Sequence, residues 1–226
     1  MPILASSYAF NFITNNIQIS PDSEGVTKLV PIITQGFLPS INDEIINGVP
    51  AKILKLEKNE DNVGAAILFR GDIIAIEISS DNILEPTLIE QKLTSIISSL
   101  SPFLNNLKAK RISSVINIIT DNSDKAFEDK IYNSFFKDEN NLFEWSVRKV
   151  SEKDIDGEQT YNLITVHKGH SIKSQNGVFQ NIKTITITAD NNTVPLNQLE
   201  RFDFSYSSLL SKLFSKSLED IHSIIK

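Results

Sequence analysis

Histidines are the scarcest groups in this chain able to hold a metal or move a proton near neutral pH. There are three, and two stand together in His167-Lys168-Gly169-His170. Two imidazoles at this spacing can bind zinc or iron when a third ligand arrives from elsewhere. On a continuous strand, residues three apart point to opposite faces, so convergence requires the chain to turn at Gly169. A solvated turn is the expectation here, and no metal or cofactor is assigned. His222 follows Ile221 at the edge of an apolar helical stripe and reads as a packing histidine. Arg111 heads an apolar run, where a guanidinium can pair with a buried carboxylate, read an anionic ligand or snorkel from a strand end. Arg111, His167 and His170 are therefore the candidate binding residues, and no catalytic residue is assigned.

Other chemistry-bearing types fall into structural settings. Asp121 and Asp124 bracket a helix start, where carboxylates accept free N–H groups and favour the helix dipole. Asp154 and Asp156 flank a turn at Gly157 without the remaining oxygens of a calcium loop. Arg70-Gly71-Asp72 reads as a tight turn with glycine at positive φ. The chain has no Gly-rich phosphate loop, no His-Glu-x-x-His pair and no Gly-x-Ser-x-Gly elbow. It has no cysteine, which removes disulfide scaffolds, thiolate metal sites and cysteine nucleophiles.

The elements that must position these residues follow from periodicity. From Tyr206 onward, Leu209, Leu210, Leu213, Phe214, Leu218, Ile221, Ile224 and Ile225 keep the helical i, i+3, i+4, i+7 spacing, with Asp203 and Ser205 as candidate N-caps. Pro86 suits a first helical turn and Thr87 with Glu90 a capping box; Leu88 to Leu100 form an apolar face that Pro102 should end. A third helix carries Phe127, Ile131, Phe135 and Phe136, with Asp121 to Ser123 offering its cap.

Strands are expected at Tyr8–Phe12, Ile53–Leu56, Ala65–Phe69, Ile73–Ile78, Phe143–Val147, Tyr161–His167 and Ile182–Ala189. A hairpin is expected at Asn15-Asn16 with alternation through Ile17 and Ile19, and an edge strand at Lys28–Ile33 limited by Pro31. Arg111–Thr120 is nearly continuously apolar, as in a central strand covered on both faces. Gly36 to Pro50 reads as a long connection, and His170 to Gln180, polar and containing Gly177, as a long hairpin loop between the last two strands.

Strands and helices are segregated more than alternated. The fold class expected is α+β: largely antiparallel sheet packed against three main helices. Residues 1–226 suit a single domain, with a seam near Leu107 to Arg111 that would divide it into two meander lobes, 1–108 and 109–226. The composition is 40% hydrophobic and 22% charged, with a formal charge of -6. That acidic balance argues against general nucleic-acid binding. No apolar stretch approaches a membrane span, and Met1 to Ser7 lack the basic and apolar regions of a secretory signal, so a cytoplasmic location is expected.

The run Lys110-Arg111-Ile112-Ser113-Ser114-Val115-Ile116-Asn117, placed after an apolar helix, and the late Leu218-Glu219-Asp220-Ile221-His222 carry a resemblance. They are similar to an uncharacterised, sporadically distributed bacterial protein family. Its central strand reads Arg-Ile-Gly-Leu-Arg-Tyr-Ile-Asn, and a late helix holds a Leu-His pair. Arg111, Ile112 and Asn117 match; the glycine, second arginine and tyrosine have no counterpart. The resemblance implies an α+β protein without an established activity, from a mobile or defence-associated locus. The function expected first is a non-enzymatic protein-binding or assembly module, with a protein partner or self-association. The alternatives are an uncommon enzyme using Arg111 with His167 or His170, and a small-molecule sensor with an apolar pocket.

Overall fold

A computed structural model describes residues 3–15, 17, 19–46, 48–104, 106–122, 124–136, 142–175 and 178–225. The strands are β1 (Ile3–Ile13), β2 (Leu38–Ile46), β3 (Val49–Glu60), β4 (Val63–Arg70), β5 (Ile73–Ser80), β6 (Lys108–Ala109), β7 (Arg111–Asp121), β8 (Trp145–Ile155), β9 (Glu158–Gln175), β10 (Val178–Thr193) and β11 (Phe202–Asp203). The helices are α1 (Ser23–Lys28), α2 (Val30–Ile33), α3 (Pro86–Leu100), α4 (Lys125–Phe135) and α5 (Ser208–Ile225). Nine strands form one antiparallel sheet in the order β2-β3-β4-β5-β1-β7-β10-β9-β8, and β11 pairs with β6 in a small second sheet. The fold is thus α+β, antiparallel, with a few main helices packed on the sheet.

The order is a strand, a helical segment, a meander and a helix, run through twice. β1 leads through α1 and α2 to β2–β5 and α3; β7 leads through α4 to β8–β10 and α5. The two first strands meet side by side in the middle of the sheet, Tyr8 opposite Ile116 and Phe10 opposite Ser114. Alternation then divides the sheet into two faces. Tyr8, Phe10, Phe12, Ile74, Ile76, Ile112, Ile116, Ile185 and Ile187 turn toward the helices and join one buried cluster with Leu93, Ile131, Leu210, Leu213 and Phe214. α5 lies on β7 and β10, with the Phe214 ring 5.4 Å from that of Phe10.

The other face carries no helix. Its middle row runs Ser79, Ser7, Asn117, Thr188, Thr165 and Arg148 across six strands. The Thr188 hydroxyl donates to Asn117 Oδ1 at 2.9 Å. A small apolar patch on the same face, Ile53, Leu68 and Ala75, is closed over by Arg70, whose guanidinium reaches Glu44 at 3.1 Å.

Several expectations change. β7 is central, but it is covered on one face only: Ser113, Val115, Asn117 and Ile119 belong to the open face. Lys28–Ile33 is helical. Asp22 caps α1 by accepting from Glu24 N and Gly25 N, and Pro31 stands in the first turn of α2, where a missing N–H costs nothing. Asn16 of the expected hairpin lies outside the described residues, and Ile17 and Ile19 are not in a strand.

Gly36 to Pro50 contains β2, and His170 to Gln180 is not a loop, because β9 runs on to Gln175. α3 has no side-chain cap; Glu90 accepts instead from the Tyr206 hydroxyl at 2.8 Å. Asp124 caps α4, whereas Ser123 lies outside the described residues. The Ser207 hydroxyl, rather than Asp203 or Ser205, accepts from Leu210 N at the start of α5. No helix among the described residues is long and apolar enough to cross a membrane.

Candidate functional site

Arg111 opens β7 on the helix-free face. Its Nε donates to the Thr193 carbonyl at 3.1 Å and its Nη2 to Asn192 Oδ1 at 3.2 Å. His167 lies on the same face, but its row passes through Ile119 by way of Thr186. That places it eight positions along β7 from Arg111, roughly 26 Å at strand rise. The His167 ring packs over Gly169: a Cβ there would meet Nε2 at 2.5 Å, so the exposed ring would have to swing aside. β9 does not turn at Gly169, so His170 points to the opposite face. There Nδ1 lies 3.3 Å from Glu144 Oε1, and the ring centroid lies 5.3 Å from that of Phe143. The three candidate residues therefore do not meet. His222 is exposed on α5 rather than packed. Among the described residues, no group of three or more His, Asp or Glu is placed to hold a metal ion.

Among the described residues, two clusters of buried ionisable groups act as ties between elements, with Asn122 Oδ1 in the first left without a hydrogen-bond partner. Lys168 donates to Glu128 Oε1 at 2.5 Å and to the Leu142 carbonyl at 2.9 Å, while Asn122 donates to Glu128 Oε2 at 3.0 Å. This joins α4 to β9. Asp220 on α5 accepts from Asn162 and Asn191 and pairs with Lys216 at 2.5 Å. Ser217 accepts from Asn191 at 2.9 Å and donates to the Ser114 carbonyl at 3.1 Å. The pair Asp154 and Asp156 is likewise employed: Asp154 accepts from Gly157 N at 2.9 Å, and Asp156 pairs with Lys212 of α5.

Two clefts open on the helix-free face. One, of about 640 Å³, has a floor of small residues (Ala5, Ser7, Gly64, Ser79) under Asn59 and Asp61. The other, of about 540 Å³, is lined by Arg111, Arg148, Glu152, Tyr161 and Leu163. Beside it, burial holds the Asp190 carboxyl above its ordinary range, against the pull of Asn192, Arg111 and Arg148. Both clefts mix hydrogen-bonding and charged groups without a nucleophile and base in contact.

The edges of the sheet contrast more sharply. Among the described residues, β8 pairs only with β9 and β2 only with β3. β8 carries Arg148, Lys149, Glu152, Lys153 and Asp154 and is almost wholly exposed. Charge along a free edge opposes pairing with another chain. β2 has less of that protection: it carries Pro39, Asp43 and Glu44, but Leu38 is 73% exposed and Ile45 77%, with Ile41 also exposed between them. Its outer backbone groups have no sheet partner among the described residues. Among the described residues, 169–175 and 178–182 of β9 and β10 also run past β8 and β7, pairing only with each other. They form a two-stranded arm bearing exposed Ile172 and Phe179.

The hairpin at Gly177 is legible from the sequence but its long paired arm is not, and β2 is not legible at all, although Asn47-Gly48 and Asn176-Gly177 are both turn-forming dipeptides. The chain matches no protein-family model, and no curated protein and no solved structure shows significant similarity to it.

Proposed function

We propose that this chain is a non-enzymatic protein-binding module that takes an extended segment of its partner alongside β2. The observation that supports this is the apolar, uncovered edge of β2 set against the charged edge of β8 in the same sheet. Main-chain hydrogen bonds along such an edge supply affinity, and alternating side chains supply selectivity. Leu38, Ile41 and Ile45 would give up exposed apolar surface on pairing, at about 25 cal/mol per Å² buried.

The catalytic alternative has less support because Arg111, His167 and His170 stand apart. The sensor alternative calls for an apolar cavity of roughly 300–1,000 Å³. A cleft between sheet and helices lined by Ile32, Phe37, Ile67 and Ile96 holds about 110 Å³.

A photo-crosslinking residue placed at Leu38 or Ile45, with a control at Val150 on β8, tests the proposal in the native host. The expected result is a discrete covalent adduct from the β2 positions and none from the control. No adduct from β2, or equal adducts from both edges, contradicts it.

A further inference from the structure

We infer that the segment laid along β2 is the β9–β10 arm of a second copy of this chain, joined head to tail. This rests on the reading of β2 as a pairing edge and names its occupant.

The arm has what the edge lacks. Residues 169–175 and 178–182 pair only with one another among the described residues, so each arm strand has one unpaired side; the Lys183 carbonyl, at the arm's base, accepts from Asn122 N at 3.0 Å. β2 has one unpaired side as well. Ile172 and Phe179 are 75% and 76% exposed, and the register puts them on one face of the arm: Ile172 opposite Asn181, Phe179 opposite Ser174. Two such residues diagonal across a ribbon make a contact patch of the kind that cross-strand pairs exploit.

Charge selects the partner. No carboxylate occurs between Glu158 and Asp190, a stretch that includes Lys173 in the arm and Lys183 at its base. At the arm's base, Glu144 faces His170. β2 carries Asp43 and Glu44 and no cation; Glu44 turns to Arg70, while Asp43 stays exposed. In a chain with a net charge of -6, most contacts between copies repel. Arm against β2 is a contact between copies that opposes this trend.

The arm cannot serve its own β2. β10 is six strand positions from β2 in the sheet, about 29 Å at the usual strand spacing. The arm also leaves the end of the sheet where β1 begins, whereas the β2–β3 turn lies at the end where β1 finishes. The contact is therefore between molecules, and it joins two different surfaces. Such heterologous contacts build rings or filaments and do not stop at a two-fold dimer.

Sedimentation velocity with two variants tests this. An arm variant, Ile172→Lys with Phe179→Lys, keeps an intact β2. An edge variant, Leu38→Lys with Ile45→Lys, keeps an intact arm. All four positions are exposed, so circular dichroism and thermal melting should match the wild type. The wild type should form species larger than a dimer as concentration rises. Each variant alone should remain a monomer, and an equimolar mixture should give a one-to-one dimer and nothing larger. A wild type that stays monomeric, a mixture that stays monomeric, or an edge variant that still assembles overturns the inference. Should it fail while photo-crosslinking from β2 captures a different protein, the binding reading stands without this occupant. Should β2 capture nothing, both fall.

Discussion

Asp190 shows how local surroundings set a residue's behaviour. It stands half-buried on the helix-free face between Arg111 and Arg148, accepting from Asn192 Nδ2 at 3.0 Å. Burial raises its carboxyl above the ordinary 3.8, and the neighbouring donors and cations only partly offset this. The folded state therefore disfavours the charged form. The stability the group contributes is full below the unfolded value and is lost as pH rises through the folded one. Asp190→Asn should melt higher than the wild type at pH 7, and that advantage should vanish in denaturation measured below about pH 4. Asp190 drew no notice in the sequence because its position depends on the pairing of β10 with β7, across some 70 residues. Arg111 was legible as a strand-start guanidinium for the opposite reason: its signal is local. The separation of His167 from His170 was legible too, as a consequence of strand alternation, once β9 is known not to turn at Gly169.

Elements with a strong period were the readable ones. α5 and the β4–β5 hairpin follow directly from apolar spacing and from Gly71, whose φ is 56°. α1 and α2 were hidden because Leu29-Val30-Pro31-Ile32-Ile33 is as apolar as a strand, and only the cap at Asp22 marks a helix. β2 was hidden because Gly36, Pro39, Asn42, Asp43 and Pro50 read as a connection, and the arm because its residues are mostly polar. Between elements, the Lys168–Glu128 pair ties α4 to the sheet with both groups about nine-tenths buried. Lys168→Met leaves the Glu128 carboxylate buried without its cation and should cost about 3–5 kcal/mol in chemical denaturation. Adding Glu128→Leu should recover most of that loss, because removing both charges also removes their desolvation cost. A double variant as unstable as the single one would mean the pair contributes more than mutual compensation.

The chain as a unit repeats a strand–helix–meander–helix order on either side of the β1–β7 seam, putting its apolar mass and, among the described residues, α1–α5 on one face. That seam joins segments about a hundred residues apart, and no local pattern announces it. What remains outward is a largely polar face without helices among the described residues, one charged edge and one apolar edge. The central claim is that the apolar edge is a place for another strand. Amide hydrogen exchange along β2 tests this most directly, read in the associated protein and again after dissociation to the lone chain. Pairing predicts that the β2 amides directed away from β3 are slow in the associated form and fast in the lone chain, while those of β8 are the same in both. Equally fast exchange along β2 in the two forms would contradict it.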